Sequence, residues 1–231
     1  MKTKPGCGAE AALEKTRAQV LIPVRNEAAA IARVVREGRR AGIADCVIDD
    51  ASRDDTLRLA AEAGAEVVTL PGPQHGKTAA LRHGLAGLAA SVEWIFFMDG
   101  DGQHRPADLD RFWRARHGAD LVVGNRLPDS ARMPRLRRWT NRVMSAALRR
   151  SGILDSQCGF RLVRRAWLET WLPRGHHFQF ETEMALLAAH RPCRVVNLPI
   201  DAIYAGEQSK IMPGRDAVNF AKCIFARRAA N

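Results

Sequence analysis

Acidic side chains are in short supply: 25 aspartates and glutamates face 36 lysines and arginines, leaving a net charge of +11. Such a surplus points to a polyanionic partner: nucleic acid, an anionic membrane surface or phosphorylated substrates. Cysteine is equally uninformative as a scaffold. Cys7, Cys46, Cys158, Cys193 and Cys223 are odd in number, scattered, and contain no C-x-x-C pair. That excludes a disulfide framework or a zinc site and suits a reducing cytosol. No apolar run approaches the ~20 residues that cross a bilayer, and residues 1–17 carry no apolar signal segment. Gly76-Lys77-Thr78 lacks the leading glycine of a P-loop, since Leu70-Pro71 stand where it is needed, so an NTPase is excluded. No glycine-rich loop follows the first predicted strand; Arg25-Asn26-Glu27-Ala28 stand there instead, which argues against a nucleotidyltransferase. There is no internal repeat.

What is present is concentrated in residues 94–104, WIFFMDGDGQH. Five apolar residues end abruptly at Asp99 and Asp101, which reads as a buried strand with carboxylates at its carboxyl end. Open α/β sheets bind their ligands at that end. Gly100 and Gly102 free the backbone to turn and clear room for a close ligand. Asp99, Asp101 and Gln103 offer only oxygen acceptors on one side of the turn, the donor set that Mg²⁺ or Mn²⁺ takes together with substrate phosphates.

Taken in order, the chain alternates. Strands are predicted over 19–24, 46–48, 66–70, 94–98, 120–124 and 194–200. Helices are predicted over 28–40, 54–63 and 78–90, from Pro106 onward, over 132–150, up to about His190, and over 218–226. This alternation predicts βαβ units, and so an α/β fold with a mostly parallel sheet. Pro23 stands at a strand end, where its missing N–H does least harm. Glu27, Asp49 and Asp50 follow strands and suit a base or ribose, because carboxylates accept from N–H and hydroxyl groups. Gly76-Lys77 at a helix start suits a phosphate. Residues 132–150 hold seven arginines and no acid, with Trp139, Val143, Met144, Ala147 and Leu148 on one stripe. Two readings stand side by side: in-plane contact with anionic lipid, or an ordinary surface helix with solvated arginines. A nucleic-acid face lacks the interleaved aromatics that stack bases. His176 and His177 have no metal-ligand spacing and read as loop.

The motifs Ile22-Pro-Val-Arg-Asn-Glu27, Asp49-Asp-Ala-Ser52, His75-Gly-Lys77, Asp99-Gly-Asp-Gly-Gln-His104, Gly124-Asn-Arg126, Asp155-x-x-x-Gly-Phe-Arg161 and Ser209-Lys210 follow one order. Together they resemble family 2 glycosyltransferases of the GT-A fold, in the dolichyl-phosphate mannose synthase-like, polyprenyl-phosphate branch, from about residue 19 to 211. The resemblance implies an α/β/α sandwich of Rossmann-like type. Residues 1–18 would be an arm, 19–211 one catalytic domain, and 212–231 an amphipathic helix. Its implied activity is inverting, metal-dependent transfer of a hexose from a nucleotide sugar (GDP-mannose or UDP-glucose type) to a polyprenyl phosphate. The donor set would be Pro23, Arg25, Glu27, Asp49, Asp50, Lys77, Asp99 and Gly100, and Asp99, Asp101 and Gln103 would hold the Mg²⁺ or Mn²⁺. Asp101, Arg126, Arg161 and Lys210 would act in catalysis, the three cations beside the acceptor phosphate. The implied partners are the nucleotide sugar, the lipid and a membrane surface or membrane partner subunit, with no nucleic acid. The implied location is cytoplasmic, at the inner face of the membrane. Two rivals remain: the same fold acting on a soluble hydroxyl acceptor, with Asp155 or Glu181 as base, and a silent nucleotide-sugar binding module.

Overall fold

The chain is known as a computed structural model, which describes residues 15–128, 133–168, 180–201 and 203. Expectations placed on residues 1–14, on His176-His177, on Ser209-Lys210 and on 212–231 lie outside the described residues.

The first half alternates as the pattern requires: β1 (Ala18–Val24), α1 (Ile31–Arg39), β2 (Ala44–Asp49), α2 (Thr56–Glu62), β3 (Glu66–Thr69), α3 (Lys77–Ala86) and β4 (Trp94–Phe97). Then come a 3₁₀ turn at Pro106–Asp108, α4 (Leu109–Ala115), β5 (Leu121–Asn125), α5 (Arg135–Ala147), β6 (Arg161–Arg164), α6 (Arg165–Leu168), α7 (Phe180–His190) and β7 (Val195–Pro199). The described strands form one sheet in the order β3-β2-β1-β4-β6-β5-β7. All neighbours are parallel except β6, which runs against both β4 and β5. This is the mostly parallel α/β architecture expected.

Parallel strands covered on both faces read as continuous apolar runs, and every residue of β4 is buried. The covering is visible on β1. Ile22 and Val24 lie against Gly100 beside Ile31 of α1, whereas Leu21 lies with Ile48 against Gly84 of α3. Side chains alternate along a strand, so α1 and α3 sit on opposite faces. Pro23 falls within β1, one residue from its end, beyond the stretch that pairs with β4, which stops at Leu21. Its missing donor therefore costs no bond on that side.

β6 was not expected as a strand. Its sequence, Arg-Leu-Val-Arg, shows two apolar residues between two charges, yet Arg161, Leu162 and Val163 are all fully buried. Insertion of this short antiparallel strand brings β5 parallel to β4. The carboxyl ends of β1, β2, β4 and β5 and the start of β6 therefore meet at one edge of the sheet.

Candidate active site

That edge gathers the motifs. The loops after β1 and β2 are stitched together by short bonds. Asn26, at φ 53°, donates its N–H to Ser52 Oγ at 3.0 Å and accepts from the Arg53 N–H at 2.8 Å. The Glu27 N–H donates to Thr56 Oγ1 at 2.8 Å. Ala51 also stands at positive φ, 61°, a conformation uncommon outside glycine and typical of functional loops. The two buried acids at the end of β2 serve different loops. Asp49 accepts the Ser52 N–H at 3.1 Å, and Asp50 accepts the N–H groups of His75 and Gly76, both at 2.7 Å. Asp50 thus pins the loop that leads into α3 and sets where Lys77 points. Glu27 and Arg25 are half-buried at the rim, and Arg25 has a buried Nε without a hydrogen-bond partner.

Lys77 reaches across the edge to Asp99 and, at 2.5 Å, to Glu181 on the first turn of α7. Asp99 also faces Nε2 of His104 at 3.5 Å. Burial alone would lower the lysine's pKa, but Asp99 and Glu181 outweigh it and hold the ammonium above its ordinary range. Burial likewise opposes the charged form of Asp99, and Lys77 with His104 overcomes it and keeps the carboxyl well below the carboxylate range. Gly159 closes on this pair: a Cβ there would stand 2.5 Å from Asp99 Oδ2 and 3.0 Å from Lys77 Nζ. Gly100 is packed as tightly, its would-be Cβ lying 2.5 Å from Val24 Cγ1. His104 is buried against Phe160, which stacks on Phe112 with ring centroids 4.2 Å apart, and the His104 Nδ1 has no hydrogen-bond partner.

Asp101 is half-exposed and turns back on the Gln103 N–H at 2.9 Å, while Arg137 reaches Gln103 Oε1 at 3.5 Å. Among the described residues no group of three or more His, Cys, Asp or Glu is arranged to hold a metal ion. The donor set does fit an ion bound chiefly by substrate phosphates. Asp99, Asp101 and Gln103 present oxygen, and around Lys77 two carboxylates outnumber one ammonium, leaving negative charge for a hard cation to offset.

Arg126 follows β5 and is buried in a two-pronged pair with Asp155, Nε to Oδ2 at 2.8 Å and Nη2 to Oδ1 at 2.9 Å. Asn141 of α5 adds a bond to Asp155 Oδ1 at 2.7 Å. Burial pushes the Asp155 carboxyl up, but Arg126 and these bonds outweigh it and bring it down to about 2. Arg161 requires a correction. Expected beside an acceptor phosphate, it is 0% exposed and donates to the carbonyls of Cys158, Glu181 and Ser156 at 2.9, 3.1 and 2.7 Å. Its guanidinium ties β6 to the 155–161 loop and α7 and presents nothing to a ligand. His104, Gly159 and Asn141 were missed as site residues. The first two lie inside quoted motifs, whereas nothing in the sequence singles out Asn141.

Over residues 19–172 the chain matches the family described as Glycosyl transferase family 2. It is 33% identical over 188 residues to glycosyltransferase AglJ of Haloferax volcanii, covering 78% of this chain and 61% of that protein. It is 30% identical over 192 residues to undecaprenyl-phosphate 4-deoxy-4-formamido-L-arabinose transferase of Pseudomonas paraeruginosa, covering 76% and 55%. The chain thus spans less than two thirds of either relative. Glucosyl-3-phosphoglycerate synthase of Mycobacterium tuberculosis, solved with Mn²⁺, UDP and glucosyl-3-phosphoglycerate, superposes with a TM-score of 0.70 at 22% identity, over 97% of this chain and 84% of that one. At that identity the likeness is one of fold.

Proposed function

The chain belongs to glycosyl transferase family 2, and from that premise we propose that it moves a hexose from a nucleotide sugar to a polyprenyl phosphate with inversion. The observation that carries the choice of acceptor is the state of the site's carboxylates. Asp155 and Glu181, the two candidates for a general base, are each paired with a cation, the buried Arg126 and the half-buried Lys77. Asp155 in addition titrates near 2, too low to take a proton at neutral pH. A hydroxyl acceptor needs a base; a phosphate is already ionised and does not. The name of the Pseudomonas relative, an undecaprenyl-phosphate transferase, supports the same reading.

In the reaction an oxygen of the acceptor phosphate attacks C1 of the sugar while the bond from C1 to the donor diphosphate breaks. One bond forms and one breaks in a single displacement, no proton moves, and the anomeric centre inverts. Asp99, Asp101 and Gln103 would hold a divalent ion, as the Mn²⁺ in the fold neighbour's crystal suggests. When bound, that ion offsets the charge gathering on the leaving diphosphate. Lys77, fixed between Asp99 and Glu181, adds a preorganised positive charge at the same place. Pro23, Arg25, Glu27, Asp49 and Asp50 shape the nucleoside end, the two aspartates by holding the loops that line it. Gly100 lets the turn that carries Asp99 and Asp101 pack down on Val24 and Ile22 of β1, which sets the height of those acids under the donor. Arg126 holds the acceptor end in shape through Asp155; for Lys210, outside the described residues, a role at the acceptor phosphate rests on the family resemblance alone. The lipid acceptor places the enzyme at a membrane surface, directly or through a membrane partner.

The test is Asp101→Ala in a metal-replete assay with labelled nucleotide sugars and a short-chain polyprenyl phosphate. Transfer falls at least about a hundredfold, and EDTA abolishes what the wild type does. Substantial turnover by the variant would remove the metal from the mechanism.

A further inference from the structure

The expected apolar stripe of the basic helix is divided in the folded protein. Met144 and Leu148 are buried, together with Asn141 and Ser145. Leu136, Trp139 and Val143 instead face out, at 60%, 65% and 49% exposure. Among the described residues only Leu154 joins them as an exposed large hydrophobic, at 55%. At about 100° per residue, Leu136, Trp139 and Val143 occupy an arc of roughly 60°. Arg135, Arg138 and Arg142 run along one flank of that arc and Arg137 lies on the other side of the helix. Arg149 and Arg150 follow the helix, both exposed. No acid occurs from residue 132 to 150.

We propose that the outer face of α5 docks the protein on an anionic lipid surface, Leu136, Trp139 and Val143 entering the headgroup boundary and the flanking arginines meeting lipid phosphates. Charge chooses this occupant. An apolar strip bordered by cations and free of acids matches a bilayer interface that is apolar within and negative outside. A nucleic acid would leave the strip in water, and a second copy of this chain would set arginine against arginine. The inner face of the same helix holds Asn141 on Asp155 and Ser145 on Ser156, each within hydrogen-bond distance. Docking through α5 therefore brings the sheet edge with Arg126 and Asp155 to the lipid. The surface adds a partner to the transferase reading above but stands on the geometry of α5 alone.

The experiment is flotation of the full chain with phosphatidylcholine vesicles, with and without phosphatidylglycerol at about a third of the lipid, in the absence of donor and acceptor. The protein floats with the anionic vesicles and stays behind with the neutral ones. Leu136→Ser with Trp139→Ser lowers the bound fraction at least about tenfold, and so does Arg135→Glu with Arg142→Glu. Circular dichroism and the melting temperature remain those of the wild type, because all four side chains are exposed. Transfer to detergent-dispersed short-chain acceptor is retained in both variants. Equal binding to neutral vesicles, or undiminished binding by the variants, overturns the proposal while leaving the transferase reading intact. A concentration-dependent dimer in sedimentation velocity that Leu136→Ser and Trp139→Ser abolish also overturns it, giving the face to a second copy. Loss of transfer by wild type to every lipid phosphate, with anionic flotation preserved, removes the transferase reading and leaves the docking surface.

Discussion

Asp155 shows how one buried charge is kept and what it does for the fold. Its folded pKa of about 2 lies below the ordinary 3.8, so folding favours the ionised form. The stabilisation is whole above about pH 4 and is lost as pH falls towards 2, on the order of 2 kcal/mol across that window. Urea midpoints followed from pH 6 to about pH 2 decline over that window in the wild type, where Asp99 also contributes, and Asp155→Asn makes the decline shallower by on the order of 2 kcal/mol; an unchanged profile in the variant contradicts the assignment. A second residue-scale prediction concerns Gly159. Its φ is not in the left-handed region, so Gly159→Ala strains no backbone, but the new methyl meets Asp99 and Lys77 at 2.5 and 3.0 Å. Displacing that pair by a fraction of an ångström cuts transfer about a hundredfold and weakens Mn²⁺ binding by calorimetry, with the fold preserved; wild-type kinetics would show that the pair's placement is unimportant. The residue types at this edge were readable from the sequence, and their burial was not. Arg161 and Arg126 have the same chemistry as a ligand-binding arginine. What separates them is that carbonyls of the 155–161 loop and α7 close around one and a carboxylate from the same loop around the other, contacts that spacing does not encode.

At the scale of elements, apolar runs and their polar endings located six of the seven described strands to within about two residues, in line with the usual uncertainty of element ends. β6 escaped because a strand buried on both faces needs no alternation, and because Arg161 is satisfied by backbone carbonyls of the 155–161 loop and α7 while Arg164 stays exposed beside Asp120. The helix α5 was found by periodicity, yet periodicity shows only that a helix has an apolar side. Here it has two, one against the domain and one towards solvent. The inner side carries a prediction: Asn141→Ala removes a hydrogen bond to a buried carboxylate and lowers unfolding free energy by about 2 kcal/mol, measured by urea denaturation. A loss below about 0.5 kcal/mol would mean that Arg126 alone satisfies Asp155.

For the whole molecule, the topology explains why motifs scattered over more than 150 residues form one site. Four parallel carboxyl ends, the start of one antiparallel strand and the first turns of α3 and α7 converge, so the loops after β1 and β2 face those around β5 and β6 across the end of β4. No described helix is long and apolar enough to cross a membrane, and the positive surplus is carried in part by one helix face at that same end of the molecule. The central claim is that the nucleophile arrives ionised, so that paired acids suffice. The most direct measurement compares initial rates on a short-chain polyprenyl phosphate and on the matching polyprenol across pH. With the phosphate, the rate follows the acceptor's own ionisation, near pKa ~6, and is flat above it, while the polyprenol is inert. Turnover of the polyprenol, with a rate that follows the titration of a protein group, would contradict the account.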